Sequence, residues 1–163
     1  MSALPFFDDN ICAYISERLE PAIRELFSEE TGTLPVDILS EKGKGLRSYV
    51  FAETHKNDLP VMLRCCEEEL NNLMTIGRAP SSYYFERAAI LARKGKNFEL
   101  EVKICEALIK AYAIYEEAYK NQGKSTPANT AYTSEEMNKR LMVARKSLEL
   151  HQKGFVNQPP TAP

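Results

Sequence analysis

The run Glu67, Glu68, Glu69, together with Glu99, Glu101 and Glu106, forms the acidic set of this sequence. Carboxylates converging from neighbouring helices can hold a metal or divide the roles of acid and base. Helical carboxylate sites draw on glutamate and histidine three residues apart. Neither His55 nor His151 makes such a pair with a nearby glutamate. The set therefore reads as a solvated acidic face. Cys65, Cys66, Cys105 and His55 are the donor types of a zinc site. Neighbouring residues on a helix point about 100° apart, however, so Cys65 and Cys66 would chelate one ion poorly. Burial of at least one as a small apolar side chain is the expected arrangement. A cysteine or serine without a placed histidine gives no signal of a nucleophile. The glycines of Lys42–Gly45 lack the spacing of a phosphate loop, and no strand precedes them. The chain is expected to be no enzyme and to need no metal or cofactor.

Basic side chains offer a different chemistry. Arg87, Arg93, Lys94 and Lys96 are close in sequence, and Lys139, Arg140, Arg145 and Lys146 follow on a later segment. Together they could touch nucleic-acid phosphates, which makes a nucleic-acid-binding helical protein the alternative reading. No base-reading element accompanies them, so a solubilising role is the default. Charged residues make up 27% of the 163 residues and the formal charge is −2. A globally basic nucleic-acid binder and a disordered acidic chain are both excluded, and electrostatic recognition must come from local patches. The opening MSALPFFDDN has no basic stretch followed by an apolar run, so no secretory signal is expected. No segment approaches the roughly 20 apolar residues of a membrane span. Four cysteines without a C-x-x-C pair read as reduced thiols in a cytoplasmic protein.

Helices must position these residues. Asp8, Asp9 or Asn10 can cap a first helix to about Ser28, with Ile11, Ile15, Leu19, Ile23 and Leu26 on one face. Pro21 should kink that helix or divide it. Thr31 to Gly45 is a connector, and a second helix covers Leu46 to His55. Asp58 caps a third helix, with Pro60 in its first turn and Gly77 as its stop. Ser81 or Ser82 caps a fourth, which ends near Lys94–Gly95. Asn97 caps a fifth. Asn121 to Tyr132 is a polar loop, and Thr133 with Glu136 forms a capping box for a final helix through His151. No segment alternates with period two. The expected fold is all-α: a single domain over residues 1–153, followed by a proline-rich tail over 154–163.

A shift of 39 residues lays Asp58–Leu70 on Asn97–Ile109. Asp58 meets Asn97 at the cap, Leu59 meets Phe98 and Cys66 meets Cys105. The same shift puts Leu46 on Phe85, Val50 on Ala89 and Phe51 on Ile90. Cap, register and preceding helix agree, which favours two stacked helical hairpins. From Pro80 to Ile109 the chain resembles the tetratricopeptide repeat family, with Phe85 at the first large position and Ala88 and Ala89 at the close-packing ones. Asn97–Phe98 lies at the turn, and Cys105 and Leu108 lie where the second helix packs back. The sequence departs from the pattern at Glu101, where a small residue is usual, at Glu53 and Glu69, and in a spacing longer than the family's about 34.

The resemblance implies stacked antiparallel hairpins with extra N- and C-terminal helices. It also implies a groove lined by the first helix of each hairpin. That groove would hold Lys44, Arg47, Phe51, Tyr83, Ile90, Arg93 and Lys94, and would suit an acidic or carboxylate-ended segment with an apolar anchor. The expected role is binding another protein, as an adaptor or as a bacterial or phage inhibitor or immunity protein acting by occlusion. Phe85, Ala88, Ala89 and Ala92 fall on one face and read as packing. Tyr112, Tyr115 and Tyr119 form a stripe that reads as core if another helix covers it, and as a homodimer interface if none does.

Overall fold

A computed structural model describes residues 8–27, 54–126 and 131–157, with side chains over 8–22, 54–126 and 134–154. Among the described residues the chain is all-α. Its helices are α1 (Asp9–Phe27), α2 (Leu59–Ile76), α3 (Ser82–Lys94), α4 (Phe98–Asn121) and α5 (Ala131–Asn157). From α2 onward each helix packs on its successor, joined between α2, α3 and α4 by short turns, so stacked antiparallel hairpins result. Helix α1 lies against both α2 and α4. No helix of the described residues is long and apolar enough to cross a membrane.

Local chemistry sets most of the helix ends. The Asp8 carboxylate accepts from the Asn10 and Ile11 N–H groups at 2.9 and 3.1 Å, which makes it the cap of α1. Asp58 accepts from Val61 N–H, and Pro60 occupies the first turn of α2, where an N–H would have no partner. Gly77 closes α2 in the left-handed conformation, with φ 69°. Asn97 caps α4 by accepting from Leu100 N–H at 3.1 Å.

Three boundaries differ from the sequence expectation. Helix α1 runs unbroken through Pro21, whose side chain is exposed and clear of the core. Helix α5 begins at Ala131, two residues ahead of Thr133, so Thr133 and Glu136 lie inside the helix rather than at its cap. At the other end α5 continues past His151 through Gly154 to Asn157. A helical glycine costs about 1 kcal/mol relative to alanine, too little to stop a long helix. Pro159 and Pro160 in the sequence are the stronger terminators, because the residue before a proline is pushed out of the helical region.

The core bears out the small-residue face: Phe85, Ala88, Ala89 and Ala92 are fully buried. It also preserves the 39-residue register. Val61 and Leu100, Cys65 and Ile104, Cys66 and Cys105, and Leu73 and Tyr112 are buried in both copies. The second expected helix, Leu46 to His55, lies almost wholly outside the described residues.

The tyrosine stripe is core. Tyr112, Tyr115 and Tyr119 are buried, and the last two meet edge to face with centroids 4.9 Å apart. The Tyr112 hydroxyl donates to the Pro80 carbonyl at 2.8 Å, and the Tyr119 hydroxyl donates to the Gly77 carbonyl at 2.9 Å. Helix α1 packs on α4 as well, and its Tyr14 hydroxyl bonds the Glu117 carboxylate. The cover thus comes from α1 and the α2–α3 turn. A homodimer through an uncovered stripe is not what this arrangement offers.

Candidate functional site

Two glutamates expected on a solvated face are buried instead. Glu69 accepts from the Ser81 backbone N–H at 2.8 Å, and Arg78 lies 3.8 Å from its other oxygen. Ser81 caps α3, so the Glu69 carboxylate holds the entry to that helix. This is structural chemistry: a buried anion replaces the water that a turn N–H would otherwise need.

Glu101 is different. By the 39-residue register it occupies the slot that Met62 fills in α2, and that slot is closed in both helices, with 0% exposure. In α2 the slot takes an apolar side chain, and in α4 it takes a carboxylate. Burying that charge requires partners, and two guanidinium groups supply them. Arg93, at the end of α3, donates from Nε to Glu101 Oε2 at 3.0 Å. Arg140, from α5, places Nη1 3.5 Å from the same oxygen. Arg93 also donates from Nη2 to Ser147 Oγ on α5 at 3.0 Å and lies over the Phe98 ring at 5.2 Å. The second carboxylate oxygen, Oε1, is buried and has no hydrogen-bond partner among the described residues. Leaving a buried acceptor unpaired costs about 1–3 kcal/mol.

The triad lies at a cleft between α3, α4 and α5 with a volume of about 340 Å³. Glu86 and Arg93 line it from α3, Glu101 from α4, and Glu136, Lys139 and Arg140 from α5. Met137 and Val143 supply its apolar wall. Three carboxylates and three cations therefore share one depression. Arg93 and Arg140 keep 35% and 30% of their side-chain surface in solvent. Both can reach an incoming group without leaving the fold.

The residues expected to form a groove are distributed as follows. Tyr83 is exposed on α3, where it meets the Tyr84 ring edge to face. Ile90 is half-buried and Lys94 exposed, farther along the same helix. Arg93 turns toward α5 and the cleft. Lys44, Arg47 and Phe51 lie outside the described residues. Glu101, Arg140, Lys139 and Glu136 enter the site without having been singled out for it. One sequence signal marked the spot: a glutamate where the 39-residue register puts the apolar Met62.

Other cations of the basic clusters are engaged within the fold. Arg87 donates to the Lys56 carbonyl and the Asn57 side chain at 2.7 and 2.5 Å, anchoring the turn before α2. Arg145 pairs with Glu106 at 2.7 Å. Cys65, Cys66 and Cys105 are buried. Cys65 and Cys105 are pushed up to about 12, first by loss of water and then by the nearby glutamates, and burial drives Cys66 well above its ordinary value. Among the described residues no group of three His, Cys, Asp or Glu side chains could hold a metal ion. In comparisons with protein-family models, curated proteins and solved structures, nothing matches the chain.

Proposed function

We propose that this chain is a non-enzymatic interaction module that captures a partner protein through the outer face of α3, in the manner of tetratricopeptide-like hairpins. The observation that carries this reading is the set Tyr83, Ile90, Arg93 and Lys94 on α3, of which Tyr83 and Lys94 are exposed and Ile90 and Arg93 half-buried. Tyr83 and Ile90 give the set an apolar anchor, and Lys94 and the exposed part of Arg93 favour a carboxylate. Such a surface fits an extended acidic or carboxylate-ended segment. An adaptor fits this reading, and so does a bacterial or phage inhibitor that occludes its target.

Selection from a library of random displayed peptides tests it. The expected result is enrichment of sequences that combine an acidic residue with an aromatic or aliphatic one, and at least tenfold weaker binding by the Tyr83→Ala and Lys94→Glu variants. Enrichment of basic peptides, or of none, would overturn the reading. Salt-sensitive binding to generic duplex or single strand that disappears in Arg93→Glu/Lys94→Glu would replace it with nucleic-acid recognition.

A further inference from the structure

We infer that the cleft between α3, α4 and α5 is a binding site for a small zwitterion, a molecule bearing an ammonium and a carboxylate within a few bonds, such as a free α-amino acid. Three features of the cleft lead there. Its volume of about 340 Å³ sits at the small end of the range for ligand pockets, roughly 300–1,000 Å³, which suits a metabolite rather than a folded segment.

Its polar lining is balanced, with Glu86, Glu101 and Glu136 against Arg93, Lys139 and Arg140, and within it Lys139 pairs with Glu136 at 3.4 Å. A simple anion would meet three carboxylates, and a simple cation would meet three positive side chains. A ligand carrying both charges finds a partner for each. The apolar wall of Met137 and Val143 leaves room for a short aliphatic side chain.

The decisive feature is Glu101. Among the described residues its Oε1 is a buried acceptor with no donor, and Glu101 lines the cleft. Of its two guanidinium partners, Arg140 is the looser, at 3.5 Å against 3.0 Å for Arg93. When Arg140 turns outward it opens the way for an N–H donor to reach Glu101. The same turn points its guanidinium at the carboxylate of the molecule that brings the donor. Arg93, tied to both Glu101 and Ser147, stays as the fixed counter-charge. Glu86 makes no ion pair among the described residues and is a second acceptor for the ammonium. Burial of an unpaired carboxylate oxygen in a slot that α2 fills with methionine is unfavourable for the empty fold, and a bound ammonium removes that penalty.

The test is thermal denaturation and titration calorimetry of the full chain with each of the common α-amino acids, beside propionate and propylamine as single-charge probes. The expected result is that at least one amino acid raises the melting temperature and gives a saturable heat, while propionate and propylamine at equal concentration do neither. Glu101→Gln and Arg140→Gln should each weaken binding at least tenfold. Arg140→Gln serves where Glu101→Gln does not fold, since Arg140 is partly in solvent. No stabilisation by any amino acid up to 10 mM, about the weakest binding a specific site would show, overturns the inference. So does stabilisation by propionate or propylamine alone equal to that by amino acids. Unchanged binding in Arg140→Gln overturns it too. Tyr83→Ala and Lys94→Glu lie outside the cleft and should leave amino-acid binding intact, which separates this site from the peptide-binding face.

Discussion

Removing water disfavours a thiolate, and what decides whether one forms is whether a counter-charge is at hand. Cys65 and Cys66 have glutamates for neighbours, so nothing rescues their thiolates. At pH 8 a thiol with a pKa of about 12 is ionised in roughly one molecule in ten thousand. Ellman's reagent at pH 8 should therefore leave Cys65, Cys66 and Cys105 unreacted in the native chain and titrate all four thiols in denaturant. Cys12, half-buried and also raised by loss of water, should be the first to react as pH rises. Rapid native labelling of two or more thiols would contradict the burial described. Glu101 has different surroundings, with a guanidinium from α3 and another from α5. Its type and its register position were both readable in the sequence. Its partners were not, because Arg140 is brought to it by the docking of α5, and no local pattern encodes that docking.

At the scale of single helices the sequence is most transparent, since caps and stops are local bargains between a side chain and the nearest free N–H or C=O groups. Asp58, Asn97 and Gly77 were legible for that reason, and Ser81 was one of two candidates. The α3–α4 turn is the instructive exception. Gly95 is the glycine there, yet its φ is −85°, and the left-handed residue is Lys96, with φ 57°. A side chain in that conformation costs about 1–2 kcal/mol. Lys96→Gly should therefore raise stability by about 1 kcal/mol in urea denaturation. At Gly95 an added Cβ would meet the Ala92 and Leu91 carbonyls at 3.6 and 3.7 Å, ordinary contact distances. Gly95→Ala should accordingly be neutral or stabilising, by up to about 1 kcal/mol. A loss of stability in both variants would mean that the turn has another geometry. The start of α5 differs from the expectation because Thr133 and Glu136 fit a capping pattern that the chain does not use. Helix already begins at Ala131, and the two residues fall within it.

In the molecule as a whole, α4 is the hub, touching α1, α3 and α5. Ile11, Ile15 and Leu19 of α1 are buried, and the Asp8 carboxylate pairs with Lys124 just beyond α4. Ile15→Ala should lower stability by about 2–5 kcal/mol, as for a large-to-small change in a closed core, measured by denaturant unfolding. A change below 0.5 kcal/mol would show α1 to be a loosely attached arm. The all-α class and the hairpin register were visible from periodicity. The placement of α1 was not, because an amphipathic stripe states that it must be covered and not by what. That placement has a consequence for how the chain is made. The Tyr14 hydroxyl and its Glu117 acceptor are 103 residues apart in sequence. At roughly 5–20 residues per second, the ribosome delivers the α4 surface about 5–20 s after α1 has been translated. Through that interval the stripe of Ile11, Ile15 and Leu19 can meet α2 but not α4, so its cover is completed only when α4 arrives.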